Sequence, residues 1–158
     1  MENSKLHLVS WNVAGWAKTL SLIREHYGNL QSWMARHRID ILCLQEVKTT
    51  DKRLQTAPKT LAAEEPGLDT FWAPCHFKGK GKGFNGVATF SRKGLTCRAN
   101  REVLTPQLNQ EGRCLMTDHG DFVVFNVYVP NDGPWSRALV LKMTFLRSLR
   151  AAMRAQRE

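Results

Sequence analysis

At 158 residues the chain has the length of one ordinary domain, long enough to bury a conventional core. Hydrophobic residues make up 42% and charged residues 23%, which excludes a disordered or fibrous chain. Lys and Arg number 23 against 14 Asp and Glu, a formal charge of +9 that favours a polyanionic partner, either nucleic acid or an anionic membrane surface.

Lys5 to Trp11 is short, apolar and β-rich and is expected to form a strand, ended by Asn12-Val13-Ala14-Gly15. Leu20, Ile23, Tyr27, Leu30 and Met34 recur at steps of three and four, the spacing of one amphipathic helix. Asp40-Ile41-Leu42-Cys43-Leu44 is almost wholly apolar and predicts a buried strand parallel to the first. Residues 51–69, with Pro58 and Pro66, predict a short helix and a surface connection, followed by a strand at Thr70–Ala73. Lys78-Gly79-Lys80-Gly81-Lys82-Gly83 is too glycine-rich for regular structure and is expected to be a mobile basic loop. Gly86–Arg92 predicts a strand, with another near Leu95–Arg101. Arg113–Thr117 and Asp121–Val129 predict a hairpin around His119-Gly120-Asp121. Leu139, Met143, Leu146, Leu149 and Met153 mark the apolar stripe of a last helix that also carries Arg137, Lys142, Arg147, Arg150, Arg154 and Arg157.

Cys43, Cys75, Cys97 and Cys114 form no C-x-x-C and no Cys/His pair at zinc spacing, so they read as reduced structural thiols. No apolar h-region follows Met1–Lys5, and no apolar run approaches the roughly 18 residues that cross a bilayer. A soluble, intracellular protein without a membrane partner is expected.

In α/β sheets ligands gather at the carboxyl ends of strands. Two parallel strands here end at Asn12 and at Gln45-Glu46-Val47-Lys48. A carboxylate beside a carboxamide suits a hard cation such as Mg²⁺, which takes oxygen ligands and keeps its waters. Taken alone, a strand-end Glu is an ordinary solvated residue. Asn126-Val127-Tyr128-Val129-Pro130-Asn131 places Asn126 and Tyr128 on one strand face, two uncharged hydrogen-bonding groups suited to phosphate oxygens.

Together, Ser10–Gly15, Leu44–Lys48, Asn85–Ser91, Gln110–Arg113 and Asn126–Asn131 stand in one order. That series resembles the exonuclease III-type AP endonucleases of the endonuclease/exonuclease/phosphatase superfamily, closest to the type 2 eukaryotic group. The resemblance implies an α/β fold, here the N-terminal half of a two-sheet α/β sandwich flanked by helices. It implies a metal-dependent DNA phosphodiesterase of base-excision repair that cuts 5′ to abasic sites, with 3′–5′ exonuclease activity as a companion, in the nucleus. Asn12 and Glu46 match the metal positions, with Glu46 the direct ligand of Mg²⁺, for which Mn²⁺ is the alternative. Tyr128 matches the catalytic tyrosine and Asn131 a phosphate contact. Glu111 and Arg113 match a structural signature. Ala14 departs from the Asp or Asn of many relatives.

The family's Gly-Asp-x-Asn, whose Asp handles the attacking water, and its terminal Asp-His pair do not occur in these 158 residues. His7, His26, His37, His76 and His119 read as surface or packing residues. Residues 1–158 are therefore expected to be a single incomplete domain, inactive alone, whose one sheet exposes its inner apolar face and drives self-association. Lys78, Lys80 and Lys82 are candidate contacts to the DNA backbone. The alternatives are a non-catalytic nucleic-acid-binding module and another phosphodiesterase or phosphatase of the superfamily.

Overall fold

The computed structural model describes residues 5–76, 83–131 and 136–156. The expected strand–helix–strand unit is present, with one break. Strand β1 (Leu8–Asn12) pairs in parallel with β2 (Ile41–Gln45), Leu8 opposite Ile41 and Asn12 opposite Gln45. Between them lie two helices rather than one, α1 (Trp16–Tyr27) and α2 (Leu30–Arg36). Gly28, at φ 82°, ends α1 and donates its N–H to the Arg24 carbonyl at 2.9 Å. The Asn29 side chain then caps α2 by accepting from the Ser32 N–H at 2.7 Å. A left-handed glycine followed by a strong N-cap resets the helix axis while the apolar spacing runs on unbroken.

Residues 51–69 carry α3 (Asp51–Thr56) and α4 (Pro58–Leu61). Strands β3 (Leu68–Ala73) and β4 (Val87–Arg92) complete a first sheet of order β1-β2-β4-β3. Only the β1–β2 pair is parallel. A second, antiparallel sheet follows, in the order β5 (Arg98–Asn100), β6 (Cys114–Asp118) and β7 (Val123–Val127). The short helix α5 (Pro106–Asn109) lies between β5 and β6, and α6 (Ser136–Arg154) ends the described chain.

Strands β6 and β7 lie against β2, β3 and β4, so two sheets face each other within this one chain. The expectation of a single sheet with a bare inner face is thereby corrected. The β5–β6–β7 segment turns back over the first sheet.

Three cores result. Trp16, Leu20, Ile23, Leu30 and Met34 of α1 and α2 bury against Leu42, Leu44, Ala88 and Phe90 on the outer face of the first sheet. Leu104, Leu108, Cys114 and Phe145 hold α6 against the outer face of the second. Between the sheets lie Ala73, Val87 and Leu115 with Phe71 and Tyr128. There the buried company includes polar groups, notably Gln45, Thr89 and Asn126.

Helix α6 buries a different stripe from the expected one. Leu141, Phe145, Leu149 and Ala152 face the core, while Leu139, Met143, Leu146 and Met153 are exposed. Only Leu149 belongs to both.

Candidate functional site

Parallel pairing brings the carboxyl ends of β1 and β2 to one edge, and the chain leaves β2 by a backbone path that aims its side chains. Glu46 and Lys48 are left-handed, at φ 55° and 50°, around buried Val47. The segment is pinned from both sides. Val47 and Lys48 donate their N–H groups to the carbonyls of Gly86 and Asn85 at 3.1 and 3.0 Å, and the Val47 carbonyl accepts from the Trp16 N–H at 3.2 Å. Gly83, at φ 81°, lies so close to the Lys48 carbonyl that a Cβ would collide with it. Positive φ at four non-glycine positions here (Ala14, Glu46, Lys48 and Asn85) concentrates backbone strain in one place.

Glu46 is the centre of the arrangement. Its Oε1 accepts from the Asn12 amide at 2.8 Å and from the Tyr128 hydroxyl at 2.9 Å. Its Oε2 faces the Lys48 ammonium at 3.3 Å. The Asn12 hydrogen bond, with help from Tyr128 and Lys48, holds the Glu46 carboxyl below its ordinary range against partial burial. Burial, and then the bond to Glu46, pushes the Tyr128 phenol upward. At neutral pH the pair is thus a carboxylate and a protonated phenol that donates to it.

Tyr128 follows β7 and is held by the loop before β6. Its N–H donates to the Arg113 carbonyl at 2.8 Å, and Arg113 Nη1 donates back to the Tyr128 carbonyl at 3.2 Å. The guanidinium lies 4.9 Å from the ring centroid and is fixed by Glu111 at 2.6 Å. Arg113 and Glu111 therefore set the position of the phenol.

Three of the residues singled out in the sequence, Asn12, Glu46 and Tyr128, come together. Asn12 turns its NH₂ to Glu46 while its Oδ1 accepts from the Ala14 N–H at 3.1 Å, so here it orients the carboxylate. Asn131 is exposed three residues beyond Tyr128. Lys78, Lys80 and Lys82 lie outside the described residues. Asn126 is not available to phosphate. It is buried, donating to the Leu44 and Ala88 carbonyls at 3.2 and 2.8 Å and accepting from Gln45 Nε2 at 2.8 Å. That amide ties β7 to β2 and β4 across the sheets. Lys48 pairs with Glu46, and neither its motif nor alternation along a strand carries a sign of that ion pair. A depression of about 500 Å³ lined by Gln31, Met34, Gly67, Arg92 and Lys93 lies by the other end of β2.

Among the described residues no three His, Cys, Asp or Glu side chains converge on one point. The site offers one ionised carboxylate, flanked by a carboxamide and a phenol. That donor set fits a hard cation that keeps most of its waters, and Glu46 is the side chain that could hold one.

Residues 9–158 match the model of the Endonuclease/Exonuclease/phosphatase family. The chain belongs to that family. It is 31% identical over 184 residues to DNA-(apurinic or apyrimidinic site) endonuclease 2 of Bos taurus, covering 91% of this chain and 34% of that protein. It is 32% identical over 143 residues to DNA repair nuclease APEX1 of Danio rerio, covering 87% and 39%. An AP endonuclease from Leishmania major superposes with a TM-score of 0.71 at 27% identity, over 93% of this chain and 47% of that structure. The Xenopus laevis APE2 catalytic domain shares the fold at a TM-score of 0.68 and 23% identity, over 94% and 54%. The chain thus spans about a third of the curated relatives and about half of the solved structures. No described helix is long and apolar enough to cross a membrane.

Proposed function

We propose that Glu46, Asn12 and Tyr128 form the metal-binding side of a DNA phosphodiesterase centre of base-excision repair. The reading is that of a nuclear enzyme cutting 5′ to abasic sites, with 3′–5′ exonuclease activity beside it. The observation that carries it is the convergence on one carboxylate of groups from the ends of β1, β2 and β7. The names of the relatives, endonucleases of apurinic or apyrimidinic sites, agree with it.

Mg²⁺ or Mn²⁺ bound at Glu46 would supply charge for a phosphoryl oxygen and a more acidic water. This chain's own residues prepare that place. Asn12 holds the carboxylate in one orientation, and Lys48 offsets part of its charge. Tyr128 keeps its proton and can turn it from Glu46 to a phosphate oxygen. Asn131, with Lys78, Lys80 and Lys82, is assigned to the DNA backbone. The water-handling Asp and the Asp-His pair of the resemblance are not among these residues, and on this reading these 158 residues alone do not cleave efficiently.

The test is Mn²⁺ binding to the 158-residue chain, read by electron paramagnetic resonance, beside cleavage of an abasic duplex with Mg²⁺. Wild type should bind Mn²⁺ and Glu46→Gln should not, while neither cleaves efficiently. Equal Mn²⁺ binding by both would remove Glu46 from the metal site. Duplex binding without Mn²⁺ binding would favour the non-catalytic module, the reading that the +9 charge alone supports.

A further inference from the structure

Helix α6 presents to solvent a face that the sheet it packs on does not use. Leu139, Met143, Leu146 and Met153, with Val140 beside them, are between 38% and 65% exposed. Leu139, Leu146 and Met153 are seven residues apart, two turns each, and so form one row. Arg150 lies within that row, and Arg147 and Arg154 run alongside it. A depression of about 380 Å³ opens between Leu146, Leu149, Arg150, Met153 and Arg154. The helix carries five Lys and Arg (Arg137, Lys142, Arg147, Arg150, Arg154) and no Asp or Glu.

We propose that this face of α6 docks an acidic amphipathic helix of another polypeptide, its apolar row lying along Leu139, Leu146 and Met153 and its carboxylates against Arg147, Arg150 and Arg154. Charge and shape select that occupant. A second copy of α6 would bring like charges together along the whole contact. Nucleic acid would satisfy the arginines but leave the Leu and Met row in water. An anionic lipid surface needs a helix free to sink about 5–10 Å on its apolar side, and half of α6 is held to the second sheet by Phe145, Leu141 and Leu149. An acidic helix satisfies both the apolar row and the cations. One helix on another is a small interface, so the contact belongs to the weak, transient class. It lies on the face of the second sheet opposite Asn126 and does not depend on the reading of Glu46.

The test uses the 158-residue chain and a fluorescein-labelled 18-residue peptide, with Leu at helical positions i, i+3, i+7, i+10 and i+14 and Glu on both sides of that row. Fluorescence polarisation should show saturable binding, weakened tenfold or more by Arg147→Glu/Arg150→Glu and by Leu146→Ser. A peptide with Lys in place of Glu should bind the double arginine variant better than the wild type. Circular dichroism and melting confirm that each variant is folded. Should a variant melt early, Arg150→Gln alone, expected to weaken binding several-fold, takes its place. Affinity unchanged by these substitutions would overturn the proposal. So would tighter, substitution-sensitive binding to phosphatidylserine vesicles or to a 20-base-pair duplex than to the acidic peptide.

Discussion

The chemistry of the site turns on how one carboxylate is held. Because the Asn12 bond is the largest influence lowering the Glu46 carboxyl, Asn12→Ala should raise its titration point further than Tyr128→Phe does. Carboxyl ¹³C shifts followed against pH would show the order, and the reverse order would make the phenol the stronger partner. The sign for stability follows from the depressed value. What the ionised Glu46 contributes is present at neutral pH and is lost as acidification carries the solution below the ordinary carboxylate range. In Tyr128→Phe the folded carboxyl is less depressed, so that contribution is smaller and its loss is complete at a higher pH, visible as a shallower fall in melting temperature on acidification. On the proposed reading, the same substitution in an active form of the protein would remove one donor to the phosphate and should lower turnover by about 10²-fold, with DNA affinity little changed. Ala14 is left-handed at φ 48°, where Asp and Asn are better tolerated than Ala. Ala14→Asp should therefore leave the fold intact and tighten Mn²⁺ binding, since its carboxylate joins Glu46 at the same edge. Titration calorimetry would measure the gain, and no tightening would place that side chain away from the cation.

At the scale of elements, the two sheets are joined by polar contacts as much as by apolar ones. Asn126 makes bonds to Leu44, Ala88, Thr89 and Gln45, and truncating it strands several buried groups. At about 1–3 kcal/mol for each buried group left unpaired, Asn126→Ala should destabilise the fold by at least about 2 kcal/mol in urea unfolding. A change within a few tenths would show that water replaces it readily. This clamp also marks the limit of the sequence reading. Alternation correctly put Asn126 and Tyr128 on one face, but it cannot say that residue 126 lies deep between sheets while residue 128 reaches the rim. The break at Gly28-Asn29 stayed hidden because Leu30 and Met34 continue the apolar spacing of α1 across it. On α6 two stripes overlap at Leu149, and spacing alone ranks neither. The bulk of Phe145 selects the buried one. The strand-end residues Asn12 and Glu46 were legible because parallel pairing forces their edge to coincide, whereas Lys48 depends on a left-handed backbone that no periodicity announces.

Over the whole molecule, the second sheet covers β2, β3 and β4 but leaves β1 paired on one side only among the described residues. Leu6, Leu8 and Trp11 are exposed there. An uncovered edge with apolar side chains is a template for association. The chain should therefore self-associate as concentration rises, by sedimentation velocity, and Leu8→Lys should return it towards monomer. A monomer at all concentrations would mean that β1 is protected. The excess charge makes a separate claim. Replacing Lys78, Lys80 and Lys82 with Ala should weaken binding to every duplex alike and reduce the log–log salt slope by up to about 0.9 for each phosphate no longer neutralised. An unchanged slope would return those lysines to plain solvated charge.

The distance along the chain between Glu46 and Tyr128 has a meaning in time. The two are 82 residues apart, and at about 5–20 residues per second of synthesis the phenol is made roughly 4–16 s after the carboxylate. Leu42 and Leu44 are made before that interval, and within it Ala88 and Phe90 join them against α1 and α2, so the outer core of the first sheet can assemble on the emerging chain. The second sheet and its tyrosine then arrive on a scaffold already in place. The edge that carries Glu46 closes only once the second sheet arrives, and a nascent chain halted before residue 128 would hold Glu46 in place by Asn12 and Lys48 but without its phenol.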